Sequence, residues 1–255
     1  MGCIITFTMQ NKLEILSQFQ TLKQENKHAF SVLIDPDDTN KKHIQILAEK
    51  CELAQVEFVF MGGSIMLSQQ VEEVIAAFKE VSNIPIVLFP GSPSQIANNA
   101  DALLYLSVIS GRNPELLIGQ HVVSAPQVKS SNLEIIPTGY MIIDGGKATT
   151  VSYMSHSFPI PKDKKDLALC TAWAGEMQGK QVIYMDSGSG AEYPISKEMI
   201  NKVSSNIAIP LIVGGGIKTP EKVKENCEAG AQIIVVGDAI EKDISLIKEL
   251  KDACL

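Results

Sequence analysis

The chain has 255 residues, of which 45% are apolar and 20% charged, and this make-up is typical of one globular domain with a large core. Its formal net charge of -7 argues against a nucleic-acid partner, because proteins that bind nucleic acids usually carry a basic stripe. Its five cysteines are odd in number, widely spread and without a Cys-x-x-Cys pair, which indicates free thiols in a reducing cytoplasm and no structural zinc.

The first nine residues are apolar, but they are too short to span a bilayer and lack the basic residues of a signal peptide. No transmembrane segment is therefore expected. Apolar residues at helical spacing then predict an amphipathic helix over residues 11–25.

From residue 29 onwards, buried apolar runs of strand length alternate with helical stretches. The predicted strands are 29–34, 56–61, 85–89, 102–108, 134–144, 180–186, 210–213 and 231–236. The predicted helices between them are 41–54, 67–81, 114–128, 164–177 and 195–203. This alternation predicts a single modified (β/α)₈ barrel domain over residues 1–255. A doubly wound open sheet is the alternative, although no Gly-x-Gly-x-x-Gly follows the first strand.

Three segments depart from this regular pattern. Residues 92–100 hold few apolar side chains, so the barrel is expected to be irregular there. Pro137 and Gly139 predict a late start or a bulge in the fifth strand. The stretch 145–161 is rich in Gly, Ser and Thr, and we expect it to hold a small hairpin.

Polar residues follow the first two strands, at the end of the barrel where active sites form. The cluster Asp35-Pro36-Asp37-Asp38 offers carboxylates of the kind that Mg²⁺ takes, usually together with substrate phosphates. We expect Asp35 to be a ligand and Asp38 or Thr39 to cap the next helix. After the second strand, Gly62-Gly63-Ser64 offers backbone N–H groups and a hydroxyl for a metal ion or phosphate oxygen. A plain helix cap is the alternative interpretation of that serine.

Glycines follow the last two strands. Gly214-Gly215-Gly216 and Gly237-Asp238 can bring backbone N–H groups close to a ligand, because no side chain stands in the way. In (β/α)₈ barrels these two loops commonly form a phosphate site. The alternative is that they are ordinary turns between strand and helix.

The sixth strand leads into the densest polar cluster of the chain. Tyr184 and Asp186 share a face of the strand, and the loop 187–190 is flexible and rich in donors. A carboxylate at this position could orient or deprotonate a substrate hydroxyl. The alternative is that Asp186 and the following serines only form a turn.

Together, five motifs closely resemble those of the geranylgeranylglyceryl phosphate synthase family, in order and spacing, across nearly the whole chain. They are Asp35-Pro36-Asp37, Gly62-Gly63-Ser64, Tyr184-Met185-Asp186-Ser187-Gly188-Ser189-Gly190-Ala191, Val213-Gly214-Gly215-Gly216-Ile217 and Val236-Gly237-Asp238. The resemblance implies a Mg²⁺-dependent prenyltransferase that joins geranylgeranyl diphosphate to the C3 hydroxyl of sn-glycerol 1-phosphate. It also implies a homo-oligomer, dimer or hexamer, and peripheral contact with a membrane when the lipid product is released.

The same resemblance assigns roles to individual residues. Asp35 and Ser64 are implied to hold Mg²⁺ and the diphosphate, with Tyr184 and Asp186 as the catalytic pair. The residues implied to bind glycerol 1-phosphate are Tyr184, Met185, Asp186, Ser187, Gly188, Ser189, Gly190, Gly215, Gly216, Gly237 and Asp238. Two positions differ from the family pattern, which usually has Glu in place of Asp186 and an amide near Asp238. The second difference favours phosphate contact through the backbone of Gly237.

An allylic diphosphate with a long tail also requires an apolar groove. We expect its walls to come from the irregular segment 92–100 and from Tyr105, Leu106, Tyr140 and Ile142. Two other functions fit part of the pattern. A sugar-phosphate isomerase or cyclase would use the same glycine loops, but with an acid and base pair and no metal. A non-catalytic phospholigand-binding barrel would not need Asp35, Ser64, Tyr184 and Asp186 together.

Overall fold

The computed structural model describes residues 14–68 and 70–254, in which eight parallel strands close into a barrel. The strands pair in chain order, and β1 closes the barrel by pairing with β8. They are β1 (Ala29–Ile34), β2 (Phe58–Met61), β3 (Ile86–Leu88), β4 (Ala102–Val108), β5 (Glu134–Ile142), β6 (Val182–Asp186), β7 (Leu211–Gly214) and β8 (Ile233–Val236). The predicted barrel is confirmed, and the open sheet is wrong.

Helices surround this barrel. They are α1 (Glu14–Glu25), α2 (Lys41–Ala54), α3 (Val71–Lys79), α4 (Gln120–Ser130), α5 (Thr150–Ser155), α6 (Lys165–Met177), α7 (Lys197–Ser204), α8 (Pro220–Glu228), α9 (Asp238–Lys242) and α10 (Leu246–Asp252). Shorter turns lie at Pro36–Asp38 and Pro93–Gln95, which are 3₁₀, and at Glu115–Gly119, which is π-helical. No α-helix forms between 92 and 100, so the predicted irregularity is confirmed.

The strands are buried on both faces, and their side chains divide between two cores. In β2, Phe58 and Phe60 belong to the cluster inside the barrel, whereas Val59 and Met61 belong to the cluster under the helices. This division follows from the alternation of side chains along a strand. It also explains why the strands read as continuous apolar runs in the sequence, as is usual for parallel sheets.

Helix α1 closes the end of the barrel at which the strands begin. Its buried residues Ile15, Leu16 and Phe19 join the inner cluster, and the ring of Phe19 meets that of Phe58 edge-on at 5.0 Å. The carboxylate of Glu134, at the start of β5, accepts hydrogen bonds from the backbone nitrogens of Ile15 and Leu16 at 2.8 and 2.9 Å. The predicted leading helix is thus confirmed from Glu14 on. Residues 1–13 lie outside the described part of the chain.

We expect Glu134→Ala to lower the free energy of unfolding by about 2 kcal/mol, because two buried N–H groups of α1 then lose their charged acceptor. Urea denaturation measures this. Glu25→Ala is the control at the other end of the helix, where an exposed ion pair with Lys27 is worth under about 1 kcal/mol. Equal stabilities of the two variants would show that Glu134 does not hold the helix.

Two expectations about the middle of the chain are wrong. Strand β5 begins at Glu134 and pairs with β4 without a bulge, from Glu134 to Tyr140. Pro137 is tolerated because its backbone faces β6, which starts only at Val182. The stretch 145–161 forms helix α5 rather than a hairpin. Thr149 and Ser152 form a reciprocal cap there, which favours a helix start.

Candidate active site

A cavity of about 570 Å³ opens where the strands end. Its polar part is lined by residues after β1, β2, β6, β7 and β8, including Asp35, Ser64, Asp186 and Gly215. Its apolar part extends past β4, along Leu103, Tyr105, Leu106, Leu116 and Ile96. Most residues that were expected to contact the prenyl tail do line the cavity. They are Tyr105, Leu106, Tyr140 and part of the segment 92–100. Ile142 is buried in the inner core and is not among its lining residues.

The loops after β1 and β2 hold Asp35 against the glycines of the second loop. Asp35 Oδ1 accepts a hydrogen bond from Asp37 N at 3.0 Å. Gly63 lies so close to the Asp35 carboxylate that a Cβ at Gly63 would collide with it. Ser64 follows and lines the same part of the cavity. The structure thus brings the two predicted metal ligands to one wall.

The buried side chain of Gln95 clamps this wall, and sequence analysis missed it. Its amide nitrogen donates to Gly63 O at 2.8 Å, while its Oε1 accepts from Gly63 N and Gly91 N at 3.3 and 3.0 Å. Gln95 is 1% exposed. A single glutamine in a segment poor in apolar residues carries no signal of this role in the sequence.

The carboxylates after β1 serve different purposes. Asp37 accepts hydrogen bonds from Leu67 N, Ser68 N and the Ser68 hydroxyl, and this last bond is the main reason why the pKa of Asp37 is lowered. Because Asp37 holds Leu67 and Ser68 in the loop, α3 starts at Val71 and not at residue 67.

The expectation that Asp38 or Thr39 caps α2 is wrong. The cap is Asn40, whose side chain accepts from His43 N at 3.1 Å. The 3₁₀ turn Pro36–Asp38 ends before α2, which begins at Lys41 as predicted, so the capping position is Asn40.

Asp186 lies at the centre of a buried hydrogen-bonded cluster and is 8% exposed. Its Oδ2 accepts from the Tyr140 hydroxyl at 2.5 Å, and its Oδ1 accepts from Gly188 N at 2.7 Å. Burial raises the pKa of Asp186, and these two hydrogen bonds oppose that rise. The result is a desolvated carboxylate that faces the cavity, an arrangement suited to a general base. From the sequence, Tyr140 was expected only to line the apolar groove. Its hydrogen bond to Asp186 was not foreseen, because the two residues lie on different strands.

The catalytic candidate Tyr184 stands beside Asp186 and is 1% exposed. A Cβ on Gly214 would lie 2.7 Å from the Tyr184 hydroxyl, so the glycine leaves room for it. Burial, followed by the charge of Asp186, raises the pKa of Tyr184 well above its ordinary value. Tyr184 is therefore a neutral phenol and can donate a hydrogen bond.

The glycines after β7 adopt backbone conformations that other residues avoid, with φ of +83° at Gly215 and +66° at Gly216. Both line the cavity, as do Ser189, Gly237 and Asp238. Lys218, which follows them, also lines it and was missed, although a lysine beside a glycine run is a recognisable signal for an anion site.

Four residues assigned by resemblance do not line the cavity. Met185 is buried under the helices, on the opposite face of β6. Gly188 and Gly190 shape the loop with φ of +85° and +70°. Ser187 is 1% exposed, and its hydroxyl has no hydrogen-bond partner among the described residues. A Cβ on Gly215 would lie 2.5 Å from that hydroxyl, so Ser187 can hold this position only beside a glycine.

Asp238, near which the resemblance implies an amide, does not carry an isolated charge. Its Oδ2 accepts from Lys242 Nζ at 2.8 Å, one turn further along α9. This ion pair partly offsets the negative charge beside the glycines. Gly237 immediately precedes α9, so its backbone is the part of this loop that can approach an anion.

The residues beside Asp35 fit Mg²⁺. The available donors are the Asp35 carboxylate and the Ser64 hydroxyl, which are hard oxygen ligands and line the same part of the cavity. The described residues contain no cluster of three or more His, Cys, Asp or Glu that could enclose a metal ion alone. An open site of this kind suits Mg²⁺, which usually keeps waters and shares substrate phosphates.

A closed parallel barrel with a glycine cradle and carboxylates at the strand ends defines an enzyme of the phosphate-binding (β/α)₈-barrel class. The chain belongs to the PcrB family, whose sequence profile matches residues 20–254. The resemblance found in the sequence is therefore confirmed, and the chain is a prenyltransferase of ether-lipid synthesis.

Named relatives agree with this assignment. A geranylgeranylglyceryl phosphate synthase of Chitinophaga pinensis is 58% identical over 245 residues, 96% of each chain. One of the archaeon Korarchaeum cryptofilum is 36% identical over 241 residues, 93% of this chain and 99% of its own. Among solved structures, (S)-3-O-geranylgeranylglyceryl phosphate synthase of Thermoplasma acidophilum, in complex with sn-glycerol-1-phosphate, is 29% identical with a TM-score of 0.89. That match covers 94% of this chain and 98% of the other.

Proposed function

We propose that this chain joins geranylgeranyl diphosphate to the C3 hydroxyl of sn-glycerol 1-phosphate, with release of diphosphate, and that it requires Mg²⁺. One observation carries the proposal. A single cavity contains hard oxygen ligands at Asp35 and Ser64, a glycine cradle beside the buried carboxylate of Asp186, and an apolar extension past β4. A metal-bound diphosphate, a phosphorylated alcohol and a prenyl tail each have a matching part of it.

The chain's own residues then act on the two reacting groups. Gly215, Gly216 and Gly237 bind the phosphate through backbone N–H groups, and Lys218 adds a positive charge at the same loop. Tyr184 and Asp186 orient the hydroxyl, and Asp186 takes its proton as the ether bond forms. Mg²⁺, when bound, supplies positive charge that neutralises the leaving diphosphate.

Asp186 is one methylene shorter than the glutamate usual in the family, and its position compensates for part of that difference. Tyr140 and Gly188 N hold both oxygens in place at the cavity wall. A fixed carboxylate loses less entropy when it binds the hydroxyl than a mobile one. The shorter side chain is therefore compatible with the same role.

We expect Tyr140→Phe to move the acidic limb of the kcat/KM profile to higher pH. The Tyr140 hydroxyl lowers the pKa of Asp186, so its removal raises that pKa, and the carboxylate then forms only at higher pH. Tyr105→Phe is the control, because that hydroxyl donates to His121 O, away from Asp186. An acidic limb that stays in place in Tyr140→Phe would show that Asp186 is not the base.

The apolar extension also separates this function from its main rival. A sugar-phosphate isomerase or cyclase has no use for an apolar channel past Tyr105, Leu106 and Leu116. Incubation of the enzyme with radiolabelled sn-glycerol 1-phosphate and prenyl diphosphates of C10, C15 and C20 tests the proposal directly, with Mg²⁺ or with excess EDTA. We expect a labelled lipid product only with Mg²⁺, and most with C20, since burial of each CH₂ is worth about 0.8 kcal/mol. Absence of product with every diphosphate would refute the proposal.

We also propose that the chain forms a homo-oligomer through the outer faces of α4 and α6, which follow the adjacent strands β4 and β5. Large apolar side chains are exposed there, including Val122 and Val123 near α4's start and Trp173 and Met177 on α6. Large exposed apolar patches mark interaction sites, and these side chains are our candidates for one. Val123→Lys should lower the mass that light scattering reports, whereas Leu53→Lys on α2 should not.

Two further observations concern the helices and the cysteines. Among the helices of the described residues, none has the length and apolar content needed to cross a bilayer. The described cysteines, Cys51, Cys170, Cys227 and Cys254, are all free thiols. Free thiols fit a reducing compartment, and on that ground we propose that the reaction takes place in the cytoplasm, with brief membrane contact when the lipid product leaves.

A further inference from the structure

Phe89 joins the two halves of the active site, although neither the sequence motifs nor the resemblance assigns it a role. It directly follows β3 and lines the cavity. Its backbone N donates to Met61 O at 2.8 Å, and its carbonyl lies so close to Gly62 that a Cβ at Gly62 would collide with it. The backbone of Phe89 is therefore fixed to the loop that carries Ser64.

The ring of Phe89 contacts the opposite half of the site. It stacks on the ring of Tyr184, with centroids 5.0 Å apart and planes at 21°, and lies 5.7 Å from the ring of Tyr140. The two tyrosines meet edge-on at 5.4 Å, and Tyr140 in turn holds Asp186. The three rings form a continuous aromatic cluster that links the loop carrying Ser64 to the side chain of Asp186.

This position matters because of how allylic diphosphates react. When the C1–O bond lengthens, its electron pair moves to the diphosphate oxygen and C1 becomes positively charged. C1 must then lie between the diphosphate near Asp35 and the hydroxyl near Asp186. The face of an aromatic ring attracts a cation, and this attraction increases where water is excluded. A phenylalanine ring also has no lone pair that could capture the cation.

We propose that Phe89 is a catalytic residue that stabilises the allylic cation through its aromatic face. The step balances without a further reactant: the C1–O bond to diphosphate breaks, C1 bonds to the glycerol hydroxyl oxygen, and the hydroxyl proton passes to Asp186. Tyr184 and Tyr140 support the ring. The inference rests on the proposed function, because it requires an allylic substrate.

The test replaces Phe89 in the full-length enzyme with 4-fluoro-, 3,5-difluoro- and 3,4,5-trifluorophenylalanine, which keep the shape of the ring and weaken its attraction for cations. We expect kcat for transfer to sn-glycerol 1-phosphate to fall stepwise, by about tenfold or more across the series. The KM for each substrate should stay nearly constant, since C1 carries no positive charge in the ground state and does not use this attraction.

Phe60 provides the matched control. Its ring also lies near Tyr184, at 6.4 Å between centroids, but it is fully buried and does not line the cavity. The same series at Phe60 should leave kcat unchanged. A flat series at Phe89, or equal declines at both positions, would overturn the role of Phe89. An unsubstituted enzyme that transfers no prenyl group would instead overturn the proposed function, and the inference with it.

Discussion

Replacement of Gly215 by alanine is expected to weaken binding of sn-glycerol 1-phosphate about 100-fold or more, which corresponds to about 3 kcal/mol. The added Cβ would lie 2.6 Å from Asp186 Oδ1 and 2.7 Å from Gly188 N, so the carboxylate or its loop must move. The backbone at φ +83° is also unfavourable for alanine. Both effects disturb the phosphate cradle and the base together. Isothermal titration with sn-glycerol 1-phosphate measures the loss.

Gly179→Ala is the matched control for backbone strain. Gly179 has the same φ of +83°, but nothing lies within 4 Å of the position that its Cβ would take. This variant should lose about 1–2 kcal/mol of stability and bind the phosphate normally. If Gly215→Ala also binds normally, the glycines after β7 are only turns, and the phosphate lies elsewhere.

Local patterns in the sequence were sufficient to predict the barrel. The predicted limits of β1, β4 and α2 agree with the structure, because continuous apolar runs and helical periodicity are properties of a few neighbouring residues. The errors have equally local causes. Pro137 was expected to disturb β5, but whether a proline is tolerated depends on which neighbouring strand its backbone faces. The small polar residues of 145–161 favour a helix cap as readily as a hairpin turn.

The residues of the candidate site also divide into those that the sequence predicts and those that it does not. Asp35, Ser64, Asp186 and Gly215 could be found from the sequence, because each lies at the end of a predicted strand or within three residues after it, and the barrel brings all strand ends to one side. The residues that connect them could not. Tyr140 reaches Asp186 across 46 positions, and Gln95 reaches Gly63 across 32. These contacts depend on strand register and on the path of irregular loops, which no motif in the chain records.

The metal side provides the second large prediction. Asp35→Asn is expected to lower kcat by about 10³-fold or more. Among the described residues of the loops after β1 and β2, Asp35 has the only carboxylate that lines the cavity. Several kcal/mol of charge stabilisation by the metal ion depend on it. Binding of sn-glycerol 1-phosphate should persist, because the glycine cradle and Asp186 belong to other loops. Single-turnover kinetics and isothermal titration separate the two quantities.

Asp37→Asn tests whether this effect belongs to Asp35 in particular. Asp37 carries the same charge two residues further on, but its carboxylate is bonded to Leu67 and Ser68 in the loop after β2. Its replacement should loosen the loop that carries Ser64. We expect the KM for the prenyl diphosphate to rise by about tenfold, as is typical when a residue that holds a metal ligand in place is lost. Because its pKa is lowered in the folded protein, its contribution to stability is present at neutral pH and lost as the pH falls through that pKa. If Asp35→Asn keeps most of its turnover, or if it loses both turnover and glycerol phosphate binding, then Asp35 does not serve a separate metal and diphosphate site.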